Sequence, residues 1–403
     1  MMGDSAFGPR LRTGMKTGMA SGIRDQTAIV GIGQTAFGKG LEDSELSLAC
    51  QAIRAALDDA GMAAAEVDGL SLFSMEDGRE VEVARNLGFG DIHYFGQVGY
   101  GGGAGCGVIA HAAMAVATGQ CNTAVAWRAR KRADAGSRPW AQVSQRISGF
   151  QSWSRPFGLL RPVDEIAMLA RRYMHETGAT RDHFANVALA FRGHANRNPN
   201  AMMQAKELTR EAYMKSRWIS EPLCLFDNCL ETDGALAVVI TGADRARDLR
   251  SSPVWIHAAA QGLPPQHQVM TNFFCEDPLQ GPAWATARKL WAASDFTPAD
   301  VKVAQIYDAF SPLIPLSLEG YGFCGRGEGA AFTEDGALEW PHGRLPTNTS
   351  GGGMSEAYVH GFNLILEGVR QMRGTSTAQV ENADVCLVTS GEGVPTSALL
   401  LRN

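Results

Sequence analysis

The sequence predicts an α/β fold built of two similar halves, with a mostly parallel sheet and an inserted region between them. Three observations lead there. Short apolar runs alternate with helical patterns over the first 130 residues and again after residue 221, the pattern of strand–helix–strand units. The stretch between is helical and carries little strand signal. The second alternating stretch also repeats the first. DDAGMAAAEVDGLSLF (58–73) aligns with AASDFTPADVKVAQIYDAF (from 292), which sets Val67 over Val301, 234 positions on. GGGAGCGVIAHAAMAVATG (101–119) aligns with GGGMSEAYVHGFNLILEGVRQMRG (from 351), 250 positions on. Two copies of one unit bring strand ends and helix starts from both halves to a shared site.

The elements follow in order. TAIVGIG (27–33) is a buried-strand pattern. Leu46, Cys50, Ile53 and Leu57 recur at helical spacing behind it, and Gly61 closes that helix. EVDGLSLFS reads as a strand, VEVARNLGFG as a short helix, DIHYFGQV as a strand, the glycine- and alanine-rich stretch 101–119 as a deeply packed helix, and TAVAWRA as a strand. VDEIAMLARRYMHETG and RDHFANVALAFRGHANRNP are two helices of the inserted region. The expected division is a disordered extension over 1–25 and a first half over 26–130, completed by 221–250. A loop domain covers 131–220 and a second half 251–403. Met15 and Met19 are alternative starting points within the extension.

Composition narrows the function. The 403 residues are 45% hydrophobic and 19% charged, with a formal net charge of −6. A phosphate backbone selects clustered Lys and Arg, so nucleic acid is not the expected partner. No apolar run approaches the roughly 20 residues that span a bilayer, and the first 25 residues lack the apolar core of a secretory signal. A cytoplasmic protein is expected. Its eight cysteines are scattered without paired CxxC spacing, which reads as buried reduced thiols and no metal site. Arg128, Arg130, Lys131 and Arg132 read as a solvated face, with phosphates of coenzyme A or a partner protein as the alternative.

From about residue 26 the duplicated layout resembles the thiolase fold, with its five αβαβα layers. Thiolases carry a nucleophilic cysteine at the start of the buried first-half helix, an asparagine or histidine in an N/H-E/D-A/C-F motif, a histidine in a G-H-P motif and a second cysteine before a C-terminal glycine run. In this sequence those positions fall on Gly102, on Tyr307 of YDAF, on Tyr358 of SEAYVHG and on Leu387, with Cys386 one residue off. Cys106 lies four residues past the first position and is a displaced candidate nucleophile. RRYMHETGAT, SRWISEPL, ETDGALAVVIT, YDAF, GFCGRGEG, SEAYVHG, EGVRQMRGTS and GVPTSALLL together resemble the lipid-transfer-protein group of thiolase-like enzymes. Within it they are most similar to the steroid side-chain-cleaving aldolases of actinobacterial sterol breakdown. The middle position of Asp308-Ala309-Phe310 varies in this group, and Ser355 replaces a glycine.

That resemblance implies a retro-aldol lyase acting on a β-hydroxyacyl-CoA steroid side chain, of the 17-hydroxy-3-oxopregnene-20-carboxyl-CoA type. An acyltransferase needs a cysteine to hold the acyl group between two steps; a retro-aldol cleavage needs only proton transfer. Tyr358 is assigned to the substrate hydroxyl and Tyr307 to protonation of the enolate, with the exchanged roles left open. Backbone N–H groups at Gly352, Gly353, Ser390 and Gly391 are the expected oxyanion donors. Asp308, His360 and Glu392 are supporting residues, His360 in a structural role because it sits two residues past Tyr358 in an expected helix. No cofactor is expected on the chain, with coenzyme A entering as part of the substrate. The resemblance also implies a homodimer through the sheet edge of the first half. It further implies a small zinc-ribbon and OB-fold partner associated with an acyl-CoA hydratase. The alternatives are a non-catalytic acyl-CoA or lipid carrier and a Cys106-dependent acyltransferase.

Overall fold

The computed structural model describes residues 22–74, 80–131, 149–268, 270 and 272–403. The first half runs β1 (Thr27–Gln34), α1 (Glu45–Ala60), β2 (Gly69–Phe73), α2 (Glu80–Leu87), β3 (Tyr94–Val98), α3 (Ala104–Ala117) and β4 (Thr123–Arg130). Then come α4 (Pro162–Thr177), α5 (Arg181–Ala195), α6 (Arg210–Met214) and the hairpin β5 (Trp218–Ser220) and β6 (Leu223–Cys224). After these, β7 (Gly234–Gly242) completes the half. Short α7 (Ala243–Ala246) leads into the second half: β8 (Val254–Gly262), α8 (Pro282–Ala292), β9 (Val303–Gln305), α9 (Leu313–Gly320), α10 (Gly329–Phe332), α11 (Gly352–Ser355), α12 (Phe362–Arg373), β10 (Val385–Ser390) and β11 (Thr396–Arg402). Helix α1 ends as its sequence predicts, on Gly61 with φ 69°, a left-handed conformation that glycine adopts without strain.

The strands form one nine-stranded sheet in the order β3-β2-β4-β7-β1-β8-β11-β10-β9. The order is two copies of one motif meeting where β1 pairs antiparallel with β8, Ala28 opposite Trp255. From that joint outward, β7, β4, β2 on one side match β11, β10, β9 on the other. The counterpart of β3 is reduced to a single parallel bridge between Ala304 and Thr347. The sheet is not mostly parallel as the sequence pattern suggests. The pairs β2·β3, β2·β4 and β9·β10 are parallel, and the other five are antiparallel. The reason is that β7 and β11 return beside β4 and β10. Alternation of apolar runs carries no information about strand direction.

The two faces of the first half-sheet feed different cores. On β4, Val125, Trp127 and Ala129 pack with Leu48, Ile53 and Leu57 of α1, while Ala124 and Ala126 face Val108 and Ile109 of α3. Helix α3 is buried along almost its whole length, and α12 packs against it. The two therefore form a central layer between the half-sheets, with α1 and α8 outside, which gives the five layers. Each buried Leu or Ile contributes about 2 kcal/mol through removal from water.

The repeat keeps one spacing only over short stretches. β2 starts at Gly69 and β9 at Val303, 234 positions on, but α3 ends at Ala117 and α12 at Arg373, 256 positions on. The six residues beyond the 250-residue spacing of the glycine runs belong to the second half. There α11 lasts a single turn and Ala357–Gly361 leaves the helix, so Tyr358 sits in a connecting turn and not in a helix. Of the expected N-terminal extension, residues 1–21 lie outside the described residues. Arg24 and Asp25 are tied to the body through Asp295 and Arg402. No helix among the described residues is long and apolar enough to cross a membrane.

Candidate active site

Tyr307 lies two residues past the end of β9, at the carboxyl end of the second half-sheet. The segment is pinned on both sides. Ile306 N–H donates to Asn348 Oδ1 at 2.7 Å, and Asn348 Nδ2 donates back to Ile306 O at 2.8 Å. Tyr307 N–H donates to Thr389 Oγ1 on β10 at 3.0 Å. Asp308 accepts from Gly353 N–H at 2.8 Å and Met354 N–H at 3.1 Å, tying the tyrosine turn to the start of α11.

Tyr358 is fixed by its backbone from the first half. Its N–H donates to Thr232 Oγ1 at 3.0 Å, and its carbonyl accepts from Arg130 Nη1 at 2.6 Å. Arg130 and Arg128 stand at the end of β4, continuing the inward face of Ala124 and Ala126, and both are buried. Arg128 Nη2 donates to His360 Nδ1 at 2.8 Å and Nη1 to Phe73 O at 3.1 Å. A guanidinium only donates, so Nδ1 is the unprotonated nitrogen of that imidazole. The His360 ring stands edge-on to Tyr358, centroids 5.2 Å apart. The solvated-face expectation is therefore overturned for Arg128 and Arg130, and Arg132 lies outside the described residues. His360 also departs from expectation. In a turn with φ 51° it does not follow helical geometry, and it touches Tyr358.

The two phenols meet. Tyr307 Oη and Tyr358 Oη are 2.5 Å apart, with the rings tilted by 51° and only 4% and 5% of each residue exposed. Burial pushes both phenols above their ordinary range. The bond to Tyr358 pulls Tyr307 down, while Tyr307 raises Tyr358 further. Arg130 draws both down. Burial also pushes the Asp308 carboxyl up to about 7, against the two amides that bind it.

The expected oxyanion donors divide. Gly353 N–H is committed to Asp308. Ser390 Oγ accepts from Cys106 N–H at 2.9 Å and donates to Cys106 Sγ at 3.2 Å. Gly352, with φ 60°, lies against Asp308, and Gly391, with φ 88°, packs on the backbone of Gly103. Glu392 is buried, accepts from Ala283 N–H at 2.9 Å and is pushed up to about 7 by burial. Cys106 is wholly buried, and burial pushes its thiol up to about 12. The ionisable groups it acts on are Tyr100, Tyr321 and Cys386 and not the phenol pair. Among the described residues no cluster of His, Cys, Asp or Glu is arranged to hold a metal.

Sequence reasoning missed the strip 227–232. Cys229 N–H donates to Ala309 O and Leu230 N–H to Gly353 O, each at 2.9 Å, so the strip joins both tyrosine turns. Asp227 holds its start, accepting from Tyr213 and Ser311. Glu356 was missed as well. It accepts from Asn198, Ser350 and Asn363 at 3.1, 2.6 and 2.8 Å and bolts the Tyr358 turn to the end of α5. Its position two residues before Tyr358, buried in an apolar context, was the available signal. For the arginines the signal was the strict alternation of TAVAWRAR, which puts residues 124, 126, 128 and 130 on one face.

Residues 266–401 match the family model of the thiolase C-terminal domain. Over 390 residues, 94% of this chain and 100% of that protein, the sequence is 48% identical to the 17-hydroxy-3-oxo-4-pregnene-20-carboxyl-CoA lyase of Mycobacterium tuberculosis. The chain belongs to the steroid side-chain-cleaving aldolases. The steroid side-chain-cleaving aldolase of Thermomonospora curvata is 45% identical over 93% of this chain and 97% of that protein. The solved structure of an Ltp2-ChsH2(DUF35) aldolase superposes with TM-score 0.89 at 44% identity, covering 94% of this chain and 98% of that one. Human mitochondrial 3-ketoacyl-CoA thiolase superposes with TM-score 0.68 at 14% identity over 94% and 99%. That likeness speaks for the fold alone.

Proposed function

We propose that this chain is a lyase that splits the Cα–Cβ bond of a β-hydroxyacyl-CoA steroid side chain, as the names of its relatives describe for them. For a 17-hydroxy-3-oxo-4-pregnene-20-carboxyl-CoA the products are a 17-ketosteroid and propionyl-CoA. The observation that carries the reading is the direct contact of Tyr307 and Tyr358 at 2.5 Å. The substrate hydroxyl gives its proton to Tyr358 oxygen, and Tyr358 passes its own proton to Tyr307. The C–O bond becomes the ketone C=O as the Cα–Cβ electrons move into the thioester. In the same motion Tyr307 gives its own proton to Cα as the enolate charge builds there, drawing the Tyr358 proton behind it, so the phenol oxygens carry partial negative charge in transit and neither holds two protons. Atoms and charge balance, and neither phenol needs to ionise fully, which matters because burial raises both. With Gly353 N–H committed, Gly352, Ser390 and Gly391 are the remaining candidate backbone donors for the thioester oxygen; donors of this type contribute roughly 3 to 4 kcal/mol each. No covalent intermediate and no cofactor on the chain take part.

The Cys106 acyltransferase reading loses support from a thiol that is buried, protonated and bonded to Ser390 and the Val388 carbonyl. A carrier without chemistry leaves the phenol contact unused. The test is incubation with a 17-hydroxy steroid acyl-CoA and detection of the ring ketone and propionyl-CoA. Ketone formation that persists in Tyr358→Phe, or binding without any ketone from the wild type, sinks the lyase reading.

The same reading includes partners and place. Strand β3 forms the free edge of the sheet and exposes 69% of Phe95, which supports a homodimer across that edge. A ChsH2-like protein with a zinc ribbon and OB fold, associated with an acyl-CoA hydratase, is the proposed partner, and the cytoplasm the proposed compartment.

A further inference from the structure

The turn that carries Tyr358 is held by a buried cation that the proton relay leaves unassigned. Arg130 has no exposed surface; Nη1 bonds the Tyr358 carbonyl at 2.6 Å, and Cζ lies 5.4 Å from the centre of the Tyr358 ring. The other ionisable groups about that ring come from four elements. Tyr307 reaches it from the end of β9 and His360 from its own turn. Cys229 belongs to the strip before β7, and burial pushes its thiol up to about 12, so it stays neutral. Asp308, beyond Tyr307, is bound by two amides. Arg128 on β4 is turned to His360 and Phe73. Arg130 thus brings the positive charge of a guanidinium to the phenol pair.

We propose that Arg130 is a positioning residue that fixes the Tyr358 turn through its carbonyl and, by its charge, stabilises the negative charge that develops on the phenol oxygens as the proton moves. The proposal rests on the lyase reading. It has support from the direction of the electrostatics, since the guanidinium draws Tyr307, Tyr358 and Cys229 down against the burial that raises them. A full charge at this range in a partly screened interior changes an ionisation by roughly 10²-fold. Charge on a phenol oxygen in transit is partial, so the effect on rate falls at or below that.

The experiment compares Arg130→Gln, which keeps a donor for the carbonyl but no charge, with Arg130→Lys, which keeps both. Thermal melts establish that each variant is folded. Steady-state cleavage of a 17-hydroxy steroid acyl-CoA then separates kcat from KM. The expected result is a kcat for Gln lowered by roughly 10- to 100-fold with KM within about threefold, and a kcat for Lys well above that of Gln. A folded Gln variant with wild-type kcat overturns the proposal. So does a loss that is equal in Gln and Lys, or one that falls on KM alone. Should Gln not fold, Lys decides: a kcat within about tenfold of wild type supports the charge role, and a loss as deep as that of Tyr358→Phe overturns it. Wild-type protein that cleaves nothing removes the lyase reading itself, whereas active wild type, dead Tyr358→Phe and indifferent Arg130 variants remove this inference alone.

Discussion

The phenolic oxygen of Tyr307 fills the space in which a side chain on residue 102 would stand: a Cβ placed on Gly102 falls 1.9 Å from Oη and 2.3 Å from Cζ of that ring. Residue 102 is where the resemblance aligns the thiolase nucleophile, and 307 is where it aligns the asparagine or histidine. The two positions share one volume, and a long phenol at the second excludes a cysteine at the first. A side chain at residue 102 and the phenol of Tyr307 as it is placed here are thus mutually exclusive. Gly102→Cys is expected to displace Tyr307 from Tyr358 and lower ketone formation by at least about 10²-fold, without creating thiolytic activity. Turnover of the hydroxyacyl-CoA and of a 3-ketoacyl-CoA with free coenzyme A checks both halves. Cleavage at the wild-type rate would mean that the Tyr307 placement is not required.

Removing either hydroxyl breaks the relay at a different point. Tyr358→Phe leaves no acceptor for the substrate proton, and Tyr307→Phe leaves no donor to the enolate. Both should lower kcat by roughly 10² to 10⁴-fold while substrate binding, followed by calorimetry, stays close to wild type. The double variant should be little worse than the worse single one, because the two oxygens act as a unit. Multiplied losses in the double variant would show two independent roles.

Much of this was legible in the sequence, for identifiable reasons. Gly69 and Val303 begin matched strands because buried strands repeat apolar residues in a fixed register, and that register survives duplication. Tyr307 and Tyr358, which the structure brings into contact, were picked out because they fall on aligned positions on either side of a glycine turn. Arg128 and Arg130 were misread because a charge run says nothing of burial unless the strand is followed to its end. His360 was misread because an i+2 offset means opposite faces only in a helix, and the chain leaves α11 after Ser355. Glu356 and the strip at Cys229 act through hydrogen bonds between segments far apart in sequence, which periodicity does not record.

Cys106 sits at the start of α3 with its amide and sulfur both bonded to Ser390. A buried thiol pushed up to about 12 is protonated near neutral pH and shielded from alkylation. Iodoacetamide at pH 7.5 is therefore expected to leave ketone formation intact, with no adduct on Cys106 in peptide mass analysis. Cys106→Ala should keep kcat within about threefold of wild type and cost about 1 to 2 kcal/mol of stability, for a small cavity and a lost thiol–hydroxyl bond. Rapid inactivation matched by an adduct at Cys106 would return the acyltransferase reading.

Glu356 makes the fold respond to pH in the direction opposite to an ordinary surface carboxylate. It is wholly buried between Asn198, Ser350 and Asn363, and burial pushes it up to about 7, with Arg370 pulling the other way. Its folded value lies above its unfolded one, so the protonated form is favoured by folding. The stabilisation is full below the unfolded value of about 4.3 and is lost as pH rises toward about 7. Above that, the folded chain carries the buried anion at a cost on the order of 3 kcal/mol. Asp308 and Glu392 are raised to about 7 by burial as well and add slope of the same sign. Melting temperature should therefore rise from pH 8 to pH 6 in the wild type. In Glu356→Gln the curve should be flatter across this range. It should also lie lower at pH 6, because the amide keeps one acceptor oxygen and so loses either the bond from Asn198 or those from Ser350 and Asn363, each worth about 1 kcal/mol. Slope separates the two effects where height cannot. An unchanged slope in Glu356→Gln would mean that this carboxyl already holds its charge at pH 6, paired with Arg370, whose Nη1 is 3.9 Å away.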